Sequence, residues 1–187
     1  SALNIQSGTL SWTFKGATNR YIGGALVADD TILAPNADYN LYALDLNGNL
    51  KWKFTARQAL WSTPIVRDEV VYLSSMDHYL YAINLKNGQL IWEVDLGGAI
   101  VYSPSFDTDT IFIATLANEV IALKASNGSV IWKNASEIGL WSQPVYNEGV
   151  VYYGDTAGKV FAVSAIDGKP IWDYVMGEMV SGAPVVM

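Results

Sequence analysis

The side chains able to do chemistry are few and badly placed to cooperate. His78, beside Asp77, is the single histidine, and one imidazole cannot complete a histidine-based zinc site. The serines are numerous, but with one histidine and no identifiable acid partner they do not form a hydrolytic triad. Cysteine is absent, which removes thiolate nucleophiles, thiolate metal ligands and disulfides together. Asp107 and Asp109 flank Thr108, yet a calcium loop needs more oxygen ligands in order, and a turn accounts for the pair. What remains is contact chemistry. Trp61 and Trp141, in Leu60-Trp61-Ser62 and Leu140-Trp141-Ser142, offer wide flat rings suited to a peptide or a planar ligand. Tyr102 and Arg57 extend that set, with Tyr39, Tyr79 and Arg67 as further rim candidates. No catalytic residue and no metal ligand is assigned.

The elements that position these rings follow from a second set of tryptophans. Trp12, Trp52, Trp92, Trp132 and Trp172 return at intervals of 40. Gly48, Gly88, Gly128 and Gly168 each precede one of them by four residues, as Gly8 precedes Trp12, and Pro64, Pro104, Pro144 and Pro184 follow in the same register. A fixed period of this length marks a repeat architecture. Trp61 and Trp141 stand outside the 40-residue register, three residues before their unit's proline, where the other units hold Ile22, Val101 and Ser181.

Each unit reads as four short strands. In the second they are Thr63 to Val66, Val70 to Ser74, Tyr79 to Asn84 and Leu90 to Val94, rich in β-branched and aromatic residues and separated by polar turns. Connections of two to four residues force antiparallel neighbours, since a parallel crossover needs a dozen or more. No long segment keeps a helical apolar stripe. The complete units span about 23–54, 63–94, 103–134 and 143–174. Radial stacking of such meanders is a β-propeller, whose cue is a periodic glycine and aromatic motif in every blade. The glycine permits a turn with positive φ, and the tryptophan lies flat between two blades. Ala43, Ala82, Ala122 and Ala162 keep one size at one place, as close blade packing requires. Asp38 and Asp77 are equivalent in the first two units, with Ala117 and Ala157 in the next two, and read as turn residues whose carboxylates bond local amides.

Composition narrows the partners. The net charge is -7 with scattered acids, which argues against a surface that tracks nucleic-acid phosphates. No run of 18 apolar residues is present to span a bilayer as a helix, so no direct membrane insertion is expected.

The segments Leu80-Tyr81-Ala82-Ile83-Asn84-Leu85-Lys86-Asn87-Gly88-Gln89-Leu90-Ile91-Trp92 and Val120-Ile121-Ala122-Leu123-Lys124-Ala125-Ser126-Asn127-Gly128-Ser129-Val130-Ile131-Trp132 resemble the quinoprotein-like repeat. That repeat builds pyrroloquinoline quinone (PQQ) dehydrogenases and the lipoprotein scaffold of the outer-membrane β-barrel assembly machinery. The resemblance covers essentially the whole chain and implies seven- or eight-bladed rings, with a periplasmic or extracellular setting. Against that count, four units are complete; only a last strand is expected before Trp12, and only the start of a further unit after Pro184. The expectation is a fragment, a ring completed by another chain, or an open arc that self-associates through its blade ends.

The dehydrogenase variant implies a catalytic aspartate, calcium ligands on the ring axis and aromatic cover for PQQ, often with adjacent cysteines. The acids of this chain do not recur as such an axial set. The leading expectation is a non-catalytic scaffold or recognition module that holds a protein, peptide or small ligand on its blade loops, with no cofactor. A fragment of a PQQ dehydrogenase, using PQQ with calcium, is the alternative. A sensory or extracytoplasmic domain of a larger protein is the third.

Overall fold

Short strands joined by tight turns pair with their sequence neighbours, and the computed structural model, which describes residues 1–185, shows that arrangement throughout. It opens on a two-stranded pair, β1 (Ala2–Leu3) and β2 (Leu10–Trp12). Four antiparallel sheets follow, each with its strands in chain order. The first holds β3 (Leu26–Ala28), β4 (Thr31–Pro35), β5 (Asn40–Asp45) and β6 (Leu50–Thr55). The second holds β7 (Ile65–Arg67), β8 (Val70–Ser74), β9 (Tyr79–Asn84) and β10 (Leu90–Asp95). The third is β11 (Ser105–Phe106), β12 (Thr110–Thr115), β13 (Glu119–Lys124) and β14 (Val130–Ala135). The fourth is β15 (Val145–Asn147), β16 (Val150–Gly154), β17 (Lys159–Ser164) and β18 (Pro170–Val175). These are the blades of a partial β-propeller. No helix occurs among the described residues, so none is long and apolar enough to cross a membrane, which says nothing of strands.

One irregularity recurs in every blade and sets the packing. Trp52 lies opposite Ala43 while Leu50 lies opposite Leu44, so Lys51 is left over as a bulge. Ile91, Ile131 and Ile171 are the bulged residues of the other blades, whose tryptophans oppose Ala82, Ala122 and Ala162. A bulge re-aims the next side chain. Here the tryptophan that follows the bulge stands opposite a fully buried alanine, whose small side chain leaves room beside the ring. The stretch before Trp12 corrects the expectation of a lone strand: Ala2 opposes Trp12, with the same slip at Ser11. Its turn forms because the Asn4 side-chain oxygen accepts the amides of Gln6 and Ser7.

Each tryptophan then bridges to the next blade. Trp12, Trp52, Trp92 and Trp132 donate their indole N–H to the carbonyls of Leu46, Leu85, Ala125 and Ala165 at 3.0, 2.9, 3.1 and 2.9 Å. The turn glycine of that next blade lies beneath the ring. At Gly88 (φ 72°) an added Cβ would fall 2.6 Å from Trp52 Cε3, so both the conformation and the space disfavour any side chain. The core accordingly sits between blades: Leu41, Trp52, Val71 and Leu73 share one cluster, and Val120, Trp132, Val151 and Val163 share another. Trp172, by contrast, is 47% exposed. The start of a further unit after Pro184 runs into residues 186–187, outside the described residues.

Candidate functional site: the loop face

The turns between second and third strands and the loops that link blades lie at one end of the blades, tied by a repeating set of backbone bonds. Each blade-to-blade loop bonds back to the blade it leaves: Ala56, Leu96, Ser136 and Met176 donate to the carbonyls of Tyr39, His78, Asn118 and Gly158. It also bonds forward, where Met76, Leu116 and Thr156 donate to Ala59, Ala99 and Gly139. His78 thus serves as a turn residue at φ 79°, equivalent to Tyr39 at 75° and Asn118 at 64°.

The loops lead into the inner strands, which pack side by side. Gly24 N–H donates to Thr63 Oγ1 at 3.0 Å, and Ser103 Oγ donates to the Thr63 carbonyl at 2.8 Å. A Cβ on Gly23 would lie 2.6 Å from the Ser62 carbonyl oxygen. Ile22, Trp61, Val101 and Trp141 are therefore corresponding positions of the loops that lead into successive inner strands. Trp61 and Trp141 are 42% and 52% exposed, yet their neighbours are fixed. Leu60 and Leu140 are buried before them, and Ser62 and Ser142 after them, with the serine hydroxyls donating to the Ser74 and Gly154 carbonyls. The backbone is pinned on both sides of an outward ring. Tyr102 takes the place of Ser62 and Ser142; it is half-buried, and burial pushes its hydroxyl pKa up.

Arg57 is held by several partners at once. Its guanidinium donates to Tyr81 Oη at 2.8 Å and to Glu93 Oε1 at 2.6 Å, and lies 4.1 Å from the Tyr79 ring centroid. The hydrogen bond to Glu93 is the chief reason its pKa is raised. Its backbone N–H donates to Asp77 Oδ2 at 2.8 Å, and the same oxygen accepts the Tyr81 hydroxyl at 2.7 Å. The preceding blade repeats the arrangement: Asp38 Oδ2 accepts the Thr18 N–H and the Tyr42 hydroxyl, both at 2.8 Å. Asp38 and Asp77 do hold their own turns, through the amides of Asn40 and Tyr79, but each also clamps the incoming loop to the blade. The clamp, and the tyrosine in it, escaped the reading of the sequence. Its signal was present as Asp-x-x-x-Tyr in two units, against Ala117 with Ile121 and Ala157 with Phe161 in the others.

Burial, then the bond to Asp38, pushes the Tyr42 hydroxyl up to about 12. Burial acts to raise the Asp38 carboxyl as well, but the Thr18 amide, Tyr42 and Asn40 outweigh it and hold its pKa below the ordinary value. These bonds also bear on a quinone site with calcium. The Asp38 and Asp77 oxygens are already spent on amides and tyrosines, and no group of three metal-ligating side chains gathers among the described residues.

Radially stacked four-stranded blades, locked by recurrent tryptophan bridges, define a propeller of the PQQ-like repeat class. The profile of the family described as outer membrane protein assembly factor BamB matches residues 1–99 and 77–186, and the chain belongs to that family. The fold is similar to BamB from Moraxella catarrhalis, with a TM-score of 0.78 at 17% identity over 89% of this chain and 56% of that one. It is also similar to the quinohemoprotein alcohol dehydrogenase of Comamonas testosteroni, with a TM-score of 0.79 at 13% identity over 93% of this chain and 38% of that one. A second such dehydrogenase, ADHIIG from Pseudomonas putida HK5, gives 0.72 at 17% identity, over 90% and 36%. The chain thus spans little more than half of the first structure and under two-fifths of the others. A search of curated proteins finds no match.

Proposed function

We propose that this chain is a non-catalytic scaffold module, acting in outer-membrane protein assembly from a periplasmic setting, which holds a protein segment on its loop face without a cofactor. The observation that carries the reading is the pair Trp61 and Trp141: two large rings left 42% and 52% exposed by a backbone that is buried and hydrogen-bonded on either side. Pre-ordered aromatic rings give contact area at little entropic cost and are the usual centres of binding energy. The family description supports the partner class, and the engaged carboxylates favour this reading over a quinone enzyme.

The test is a calorimetric titration with an outer-membrane β-barrel protein kept unfolded. Saturable binding is expected, weakened about tenfold or more by Trp61→Ala with Trp141→Ala. If the double variant stays folded and binds unchanged, these rings are not the contact. If the parent chain shows no binding, the partner class is wrong.

A further inference from the structure

Four joints between units are built alike, and a fifth is present only as two separated halves. In each of the four, a tryptophan lies over the turn glycine of the next blade and donates its indole N–H to a carbonyl of that turn. It also packs in one cluster with an apolar residue near the end of that blade's third strand: Leu44, Ile83, Leu123 or Val163, all buried. The β1–β2 pair presents the same parts with no ring on them. Its turn is bonded as the others are, since Gly8 N–H donates to the Asn4 carbonyl and Asn4 N–H to that of Thr9, just as Gly88 does to Asn84 and Asn84 to Gln89. Gly8 has φ 68°, and a Cβ built on it would meet nothing within 4 Å. Leu3 stands in the place of Ile83, opposite Leu10 as Ile83 is opposite Leu90, and Ile5 in the place of Leu85; they are 64% and 91% exposed. At the other end Trp172 stands opposite its alanine as the earlier tryptophans do, but the indole hydrogen bonds among the described residues all belong to those four. Tyr174, in the place of the half-buried Phe54, is exposed as well.

We infer that these halves meet between two copies of the chain: Trp172 of one copy lies over Gly8 of the next, packs on Leu3 and Ile5, and donates its indole N–H to the Ile5 carbonyl. The occupant is a second copy because one chain carries both halves, and the contact continues an interface that the chain already makes four times. The glycine, the acceptor carbonyl and the apolar third-strand residue all belong to the last two strands of a blade, which are the two that the pair supplies. Covering Leu3, Ile5 and the Trp172 and Tyr174 rings takes exposed apolar surface out of water and drives the contact. Its two sides are different surfaces, so copies join head to tail and one half stays free at each end of an open assembly. Nothing in this contact rests on what the loop face binds.

Light scattering of the 187-residue chain over a range of concentrations is expected to show a mass that rises above that of the monomer. Trp172→Ala removes one half of the joint and Ile5→Asp the other, so each variant alone is expected to stay monomeric. An equimolar mixture of the two is expected to form dimers and nothing larger, because each still offers the half that the other lacks. A parent chain that stays monomeric overturns the inference, and so does a mixture that stays monomeric. Association that survives either substitution overturns it too; survival with Ile5→Asp alone would mean that two Trp172 faces pair with each other. Circular dichroism checks that each variant is folded. Should one fail, Tyr174→Asp blocks the first half in its place and Gly8→Ala the second, since a Cβ at Gly8 meets nothing within 4 Å in the free chain, whereas one at Gly88 would lie 2.6 Å from the Trp52 ring. Failure to bind a β-barrel precursor would count against the proposed function and leave these results as they stand.

Discussion

The Asp77 carboxylate and the Tyr81 hydroxyl, four residues apart across the β8–β9 turn, meet at 2.7 Å. Asp38 and Tyr42 do the same at 2.8 Å. Where the acid becomes Ala117 or Ala157, the tyrosine becomes Ile121 or Phe161. A hydroxyl among blade-packing residues needs an acceptor, and once the acceptor is gone an apolar side chain suits the place better. Both members of the pair therefore change together within one chain, and the repeats act as internal variants of one another.

That relationship predicts strong coupling. Asp77→Ala alone strands the Arg57 amide and the Tyr81 hydroxyl and should cost about 2–3 kcal/mol. Adding Tyr81→Phe should recover about 1 kcal/mol, since it recreates the Ala157 and Phe161 pairing. Urea unfolding of the two single variants and the double variant measures the cycle; simple additivity would refute the coupling.

The glycine beneath each tryptophan gives a second comparison. Gly88 and Gly97 both have positive φ, 72° and 78°, so Gly→Ala strains the backbone equally at each. An added Cβ at Gly88 meets Trp52, whereas at Gly97 it meets nothing within 4 Å. Gly97→Ala should cost about 1 kcal/mol. Gly88→Ala should cost about 3 kcal/mol or more, with the excess coming from the displaced ring. Chemical denaturation followed by Trp fluorescence reads both, and equal losses would mean that the contact with Trp52 carries no weight.

The blade pattern was legible because it is carried by residues with one physical solution each: glycine under a ring, alanine opposite it, and turns too short for anything but antiparallel pairing. The bulge at Lys51 and Ile91 was not, since any residue can occupy a position left out of the ladder. Nor was Ala2 opposite Trp12, because two residues of strand leave no periodic trace. At the loop face, Trp61 and Trp141 stood out by breaking the repeat. The partners of Arg57 did not, since Glu93 lies 36 residues away and adjoins it only through the packing of strand on strand.

The β7–β8 hairpin holds a removable strain. Asp68 and Glu69 form its two-residue turn with φ of 50° and 61°, a conformation that suits Asn-Gly. The fourth blade uses Glu148 and Gly149 at the same place. Glu69→Gly should therefore stabilise the chain by about 0.5–1 kcal/mol. The backbone bond from Leu85 to the Glu69 carbonyl would remain, and the exposed ion pair of Glu69 with Lys86 contributes little. A lower midpoint of thermal unfolding would contradict this account.

Stability should depend on pH at both ends through the Asp38–Tyr42 pair. The folded chain holds the Asp38 carboxyl below its ordinary 3.8, so its contribution is present at neutral pH and disappears as pH falls below that value and the carboxyl takes up its proton. Tyr42 runs the other way. Its hydroxyl is raised from 10.0 to about 12, so folding favours the protonated form; that contribution is intact below pH 10 and fades between 10 and 12. Other tyrosines, Tyr81 and Tyr153 among them, are raised too, so the wild-type curve alone does not isolate the pair. The differences do. Between pH 10 and 12 the stability of the parent chain should fall more steeply than that of Tyr42→Phe, and below pH 4 more steeply than that of Asp38→Asn. Urea midpoints across both ranges make the measurement. Parallel curves for parent and variants would show that this pair does not couple folding to protons.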